Sequence, residues 1–202
     1  MKKLLVPFAA AVALLLAGCD FKPTDYTVTQ YRPDGTVQQT WHANSFSTSG
    51  NCVRFTVRGE PTQTNFFACG IVHASTAAKL EKGPAKYTVR LFTPDGKLID
   101  SYDATSASPN NGCVAFTPLG DTSNTHYACG TVVAEANGIA VSPDSPKPYQ
   151  VVVQSGEGNV LQNWSARQYT VSSGVVTVYV AGDSTNTPRY ATGQVLASPL
   201  QR

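Results

Sequence analysis

Three stretches of this chain follow one template at an interval of about 61 residues, and that repetition restricts what the chain can fold into. Tyr26-Thr27-Val28 opens the first copy, Tyr87-Thr88-Val89 the second and Tyr149-Gln150-Val151 the third. Pro33-Asp34-Gly35 recurs as Pro94-Asp95-Gly96 and, more loosely, as Gly156-Glu157-Gly158. Trp41-His42-Ala43 recurs as Tyr102-Asp103-Ala104 and Trp164-Ser165-Ala166. Cys52-Val53-Arg54-Phe55-Thr56 returns as Cys113-Val114-Ala115-Phe116-Thr117, with Val175-Val176-Thr177-Val178-Tyr179 as its third form. Ala68-Cys69-Gly70, Ala128-Cys129-Gly130 and Ala191-Thr192-Gly193 close the series.

Each copy reads as four strands. The first two flank the Pro-Asp-Gly turn, where proline presets φ and glycine accepts a positive φ. Tyr87, Val89 and Leu91 alternate with Thr88 and Arg90, as a half-buried strand requires. Val53, Phe55 and Val57 alternate in the third strand. The fourth carries the second cysteine and runs on through Val72, Val132 or Val195. Few residues are charged, while Thr, Ser, Val, Gly and Pro abound, and no window sustains a helical apolar period. The expected fold is all-β: three tandem four-stranded antiparallel units at 26–74, 87–134 and 149–197. Polar linkers at 75–86 and 135–148 and a tail at 198–202 complete the mature chain. Linkers of about a dozen residues favour three modules in a row over one closed pseudo-threefold body.

The repeats are preceded by Met1-Lys2-Lys3 and an apolar run from Leu4 to Leu16. At roughly 13 residues the run fits the core of a signal peptide and falls short of the roughly 20 a spanning helix needs. It ends in Leu16-Ala17-Gly18-Cys19, which resembles the lipobox of bacterial lipoproteins. That resemblance covers only the first 20 or so residues. It implies a signal peptide at 1–18, a lipid on Cys19 and a lipidated tether at 19–25. Cys19 would receive a diacylglycerol, become the new N-terminus and be acylated there. Such a chain faces the periplasm, anchored to the membrane stably by more than one acyl chain. Asp20 resembles the signal that retains lipoproteins on the inner rather than the outer membrane.

Loss of residues 1–18 removes Lys2 and Lys3, leaving 13 basic side chains against 13 acidic ones. A neutral mature chain argues against nucleic acid, whose binding rests on neutralised phosphates. Beside Cys19, four cysteines remain: Cys52, Cys69, Cys113 and Cys129. An even number in an exported chain suggests disulfides. The third copy has lost both cysteines together, with Val175 and Thr192 in their places, as bridges within units require. The expected pairs are Cys52–Cys69 and Cys113–Cys129, each closing a loop of about 16 residues and contributing about 3 kcal/mol. Units of about 50 residues have small cores and need such staples.

No catalytic or metal-binding motif is present, and no cofactor is implied. His42, His73 and His126 each stand where the other copies carry something else. His42 aligns with Asp103 and Ser165, His73 with Val133 and Leu196, and His126 falls near Pro188. A hydrolase would need a histidine brought to a carboxylate and a nucleophile by the fold alone. Asp34 and Asp95 are explained by their turns. Trp41, Tyr102 and Trp164 recur at one position and could stack on the sugars of peptidoglycan or an exopolysaccharide, or fill the core of each unit. Their spacing from Ala43 and its counterparts favours core. The reading that results is a lipid-anchored, non-enzymatic protein that binds another envelope protein.

Overall fold

Each unit begins with a hairpin whose turn is set by its sequence. Gly35 N–H donates to Arg32 O, and Asp34 accepts from the Thr36 amide at 2.9 Å while Gly35 takes φ +83°. The Thr36 hydroxyl donates to the same oxygen at 2.7 Å, and that bond together with the one from the amide holds the Asp34 carboxyl below its usual range. The computed structural model describes residues 25–60, 64–76, 80–81 and 83–200 of the 202-residue chain. Residues 1–24, with the signal segment and Cys19, lie outside the described residues.

The described chain is all-β, with fifteen strands in one antiparallel sheet. The first unit holds β1 (Tyr26–Tyr31), β2 (Val37–Ser49), β3 (Cys52–Val57), β4 (Asn65–Cys69) and β5 (Val72–Thr76). The second holds β6 (Tyr87–Phe92), β7 (Leu98–Asn110), β8 (Cys113–Pro118), β9 (His126–Cys129) and β10 (Thr131–Ala136). The third holds β11 (Tyr149–Gln154), β12 (Val160–Ser172), β13 (Val175–Val180), β14 (Arg189–Ala191) and β15 (Gln194–Pro199).

Five strands per unit replace the expected four, and the reason is local. The last run of each unit is broken by Gly70, Gly130 or Gly193, at φ +89°, +110° and +90°. Before the break it pairs with the third strand; after it, with the first. The long second strand does the same thing by another device. A register shift between Ala43 and Ser45, and again between Ala104 and Ser106 and between Ala166 and Gln168, bends it. Its first half pairs with the first strand and its second half with the third. Two bent strands therefore curl each unit around its own core. Val28, Ala43, Val53, Phe55, Val72 and Ala74 form the first such core.

The units do not hang on their linkers. β5 pairs with β9, and β10 pairs with β14, so the sheet runs on from unit to unit. The structure is thus neither a row of separate modules nor a closed ring. Its strand order begins at β15 and ends at β4. The three hairpin tips at Asn51, Gly112 and Gly174 meet: Gly112 takes φ +77°, which favours glycine, and a Cβ on it would fall against the Asn51 side chain.

Both disulfides form as the joint loss of cysteines implies, Cys52 with Cys69 and Cys113 with Cys129. The third unit replaces its staple with a bond to its neighbour. Thr192, in the place of Cys129, donates its hydroxyl to Gly130 O at 2.7 Å and accepts from the Val132 amide at 3.1 Å. Val175, in the place of Cys113, is fully buried.

Candidate functional site

The fifth strand of a unit serves two cores at once, because successive side chains of a strand point to opposite faces. In β5, Val72 and Ala74 enter the first core, while the His73 ring lies against Tyr102, Phe116 and His126 of the second unit. In β10, Val132 and Ala134 enter the second core and Val133 enters the third, with Trp164 and Val178. The first and second units thus each insert one side chain into the unit that follows.

Among the described residues, the buried Asp121, His126, Asp183 and Arg189 all lie at these two joints. At the first, His126 Nε2 lies 3.0 Å from Asp121 Oδ2, and the Thr76 hydroxyl of β5 donates to the same carboxylate oxygen. The hydroxyl of Tyr102 shares a hydrogen bond of 3.0 Å with His73 Nδ1. Burial pushes His73 down to about 3, with nearby His126 adding to the effect. Burial also lowers His126, against the opposing pull of Asp121. Burial works to raise Asp121, but hydrogen bonds from Thr76, Asn124 and His126 outweigh it and leave the carboxyl low. The cluster is therefore two neutral imidazoles around one carboxylate at neutral pH. At the second joint Arg189 takes the place of His126. It donates to Asp183 Oδ2 at 2.5 Å and to Glu135 Oε1 at 3.3 Å. Glu135 also accepts from Trp164 Nε1 at 2.7 Å and from Gln162 at 2.5 Å.

Two expectations about single residues change here. His126 aligns with Arg189, one place beyond Pro188, because Phe116 pairs with His126 as Val178 pairs with Arg189. And His73 and His126 come together, their rings 5.7 Å apart, with a carboxylate and a hydroxyl in reach. The arrangement does not match a hydrolytic relay. Asp121 and Thr76 both approach Nε2 of His126, whereas a relay through the ring puts acid and nucleophile on opposite nitrogens. Nδ1 of His126 and Nε2 of His73 are buried without partners. His42 stands apart, exposed beside Asp25. Among the described residues no three His, Cys, Asp or Glu side chains gather as a metal site. The signal for these joints was in the sequence: Gly120-Asp121 and Gly182-Asp183 recur, each followed within six residues by His126 or Arg189.

Of the repeated aromatics, Tyr102 and Trp164 face inward, 4% and 5% exposed, and offer no ring face to a sugar. Trp41 is only half-buried. The difference follows from position in the array. Tyr102 is covered by His73 of the preceding unit, and Trp164 packs in the core that receives Val133. No described strand precedes the first unit. Its Trp41, Phe55 and Phe66 hold the arrangement of Tyr102, Phe116 and His126, with ring separations of 5.1 and 6.0 Å against 5.1 and 5.7 Å. Among the described residues no strand of another unit lays a side chain on this cluster, and Trp41 and Phe66 are left half-buried, while Phe55 is buried.

The flanking strand shows the same thing. Phe67 on β4 is 55% exposed, whereas its counterpart Tyr190 is buried and Tyr127 half-buried. Cys69 is exposed, but Cys129 and Thr192 are buried. At the opposite end of the sheet Leu196 on β15 is 52% exposed, while its counterparts His73 and Val133 are buried. Val37, Leu98 and Val160 are exposed too, but at one position in every unit, so they mark the unit's solvent face rather than an interrupted joint. The molecule therefore presents two unfinished joints: a receiving one at β4 and a donating one at β15. No protein-family model, curated protein or solved structure matches the chain.

Proposed function

We propose that this is a lipid-anchored envelope protein that binds another protein by accepting a strand along β4. The observation that carries the reading is the contrast between one receiving site that is open and two that are filled. The first unit's Trp41–Phe55–Phe66 cluster lies beside an edge strand of which Phe67 is 55% exposed. An extended segment added there gains backbone hydrogen bonds from the edge and seats one side chain in the apolar cluster, the mode of β-strand addition. Natural edges are usually blunted by charge or by proline. β4 reads Asn-Phe-Phe-Ala-Cys and has neither.

The resemblance of Leu16-Ala17-Gly18-Cys19 to a lipobox supplies the location, with Cys19 carrying the lipid and the repeats facing the periplasm. A tether at residues 19–25 holds the first unit nearest the membrane. That raises the effective concentration of the β4 edge for any protein anchored beside it. The binding surface is apolar and strand-shaped, which suits a polypeptide better than a polysaccharide.

Affinity capture of the full-length protein from crosslinked cells tests this. The wild type is expected to bring down a protein that the Phe67→Asp variant does not, because a carboxylate at that position opposes burial against an added strand. Capture of murein fragments alone, equal for both forms, would overturn the reading.

A further inference from the structure

We propose that the strand received at β4 is β15 of a second copy of this chain, so that copies join head to tail. This rests on the edge-binding reading above and names its partner.

The template is inside the molecule, twice. At the first joint Val72 faces Cys129, His73 faces Ala128 and Ala74 faces Tyr127. At the second, the Thr192 amide donates to Val132 O at 3.0 Å, Val133 faces Ala191 and Ala134 faces Tyr190. These are equivalent positions of the repeat, so one register serves both joints. Continued once more, it sets Val195 of one copy against Cys69 of the next, Leu196 against Ala68 and Ala197 against Phe67.

Each end of the sheet has what the other is missing. On β15, Val195 and Ala197 already pack on the third core, leaving Leu196 pointing outward. In that register Leu196 takes the place of His73 and meets Trp41, Phe55 and Phe66, the counterparts of the rings around His73. An apolar side chain thus meets an apolar cluster, whereas an internal joint pairs His73 with His126. Neither β4 nor β15 contains a charged residue. Pro199 lacks an amide at one end of β15, and the Gln30 side chain already donates to Cys69 O at 2.8 Å. Pro199 lies beyond the three paired positions, and the Gln30 contact falls on the outermost of them, so Ala68 and Phe67 remain free of both; three pairs is the length of the first internal joint. A contact between two different surfaces propagates instead of closing on itself in pairs.

Sedimentation velocity of the full-length protein in density-matched detergent tests this, because a head-to-tail contact makes mass depend on concentration. The wild type is expected to rise through whole multiples of the chain mass. Leu196→Asp and Phe67→Asp each destroy one end and should remain single chains. Mixed together, they should stop at dimers, since only one intact joint can form between them. Both positions are more than half exposed, so the fold is expected to survive, and an unchanged circular dichroism spectrum verifies it. A wild type of single-chain mass at every concentration would overturn the proposal, as would association of Leu196→Asp alone, which requires a different surface. A monomeric wild type whose capture of another protein still depends on Phe67 would leave edge binding standing with a different partner. One whose capture ignores Phe67 would remove both.

Discussion

Arg189→Met is expected to lower unfolding stability by about 3–5 kcal/mol, measured by urea denaturation at neutral pH. The reason is what the substitution leaves behind. The Arg189 side chain is 3% exposed and that of Asp183 is 1% exposed, so neither charge has water to fall back on. Burial disfavours the Asp183 carboxylate, but hydrogen bonds from Thr185 and Arg189 more than compensate and keep it ionised. Methionine fills much of the arginine's volume while abandoning Asp183 and the buried side of Glu135. Thr185 alone cannot compensate for a desolvated carboxylate. The double variant Arg189→Met with Asp183→Asn should recover a large part of the loss, because a buried pair removed together costs far less than one partner removed alone. Equal losses in the single and double variants would show that arginine acts through packing rather than charge.

Acid should unfold this protein through its first joint. An unfolded histidine takes up a proton near pH 6.5, whereas buried His73 does so only near 3, and His126 is also lowered. Between those values the unfolded chain binds more protons than the folded one, so stability must fall as pH falls. The slope reaches about 1.4 kcal/mol per pH unit for each histidine held neutral. Asp121, lowered by its partners, adds a further loss in the more acidic part of the range as the unfolded carboxyl takes its proton. Tyr102 stays protonated throughout, its hydroxyl raised by burial. His73→Val places at this joint the residue that the second joint already uses, Val133. Urea titrations between pH 7 and 4 should then show a slope smaller by about one proton for the variant. An unchanged slope would mean that His73 is not the group being protonated.

Much of the fold was legible because it is local. The Pro-Asp-Gly turns, the alternation of Val53, Phe55 and Val57, and the joint loss of two cysteines all lie within one unit. They led to antiparallel strands and to Cys52–Cys69 and Cys113–Cys129. The break at Gly70, Gly130 and Gly193 was written in the sequence as a recurrent glycine. Its effect, pairing one run with both the third and the first strand, depends on the curl of the whole unit. The joints were hidden for a different reason. Pairing of β5 with β9 links residues more than fifty places apart, and the partners differ in chemistry between joints. Comparing His73 with Val133 and Leu196 suggests an unimportant position, since the three share no chemistry. They share a place in the unit: His73 and Val133 each enter the unit that follows, and Leu196 stands at the same position on the free edge of β15. Likewise Asp121–His126 and Asp183–Arg189 are one acid–base device written with different bases. Trp41, Tyr102 and Trp164 align perfectly, yet only the first sits in a unit with no described strand before it.

The first unit's open edge is the claim on which the functional account rests, and a photo-crosslinking residue placed there reads it directly. In cells, the full-length protein with the crosslinker at position 67 is expected to capture a polypeptide. The same residue at position 171, where Val171 is 66% exposed but belongs to no joint, should capture none. A crosslinked product of twice the chain mass would identify a second copy. Crosslinking at position 67 to lipid or glycan alone, or equal protein capture at both positions, would contradict the account.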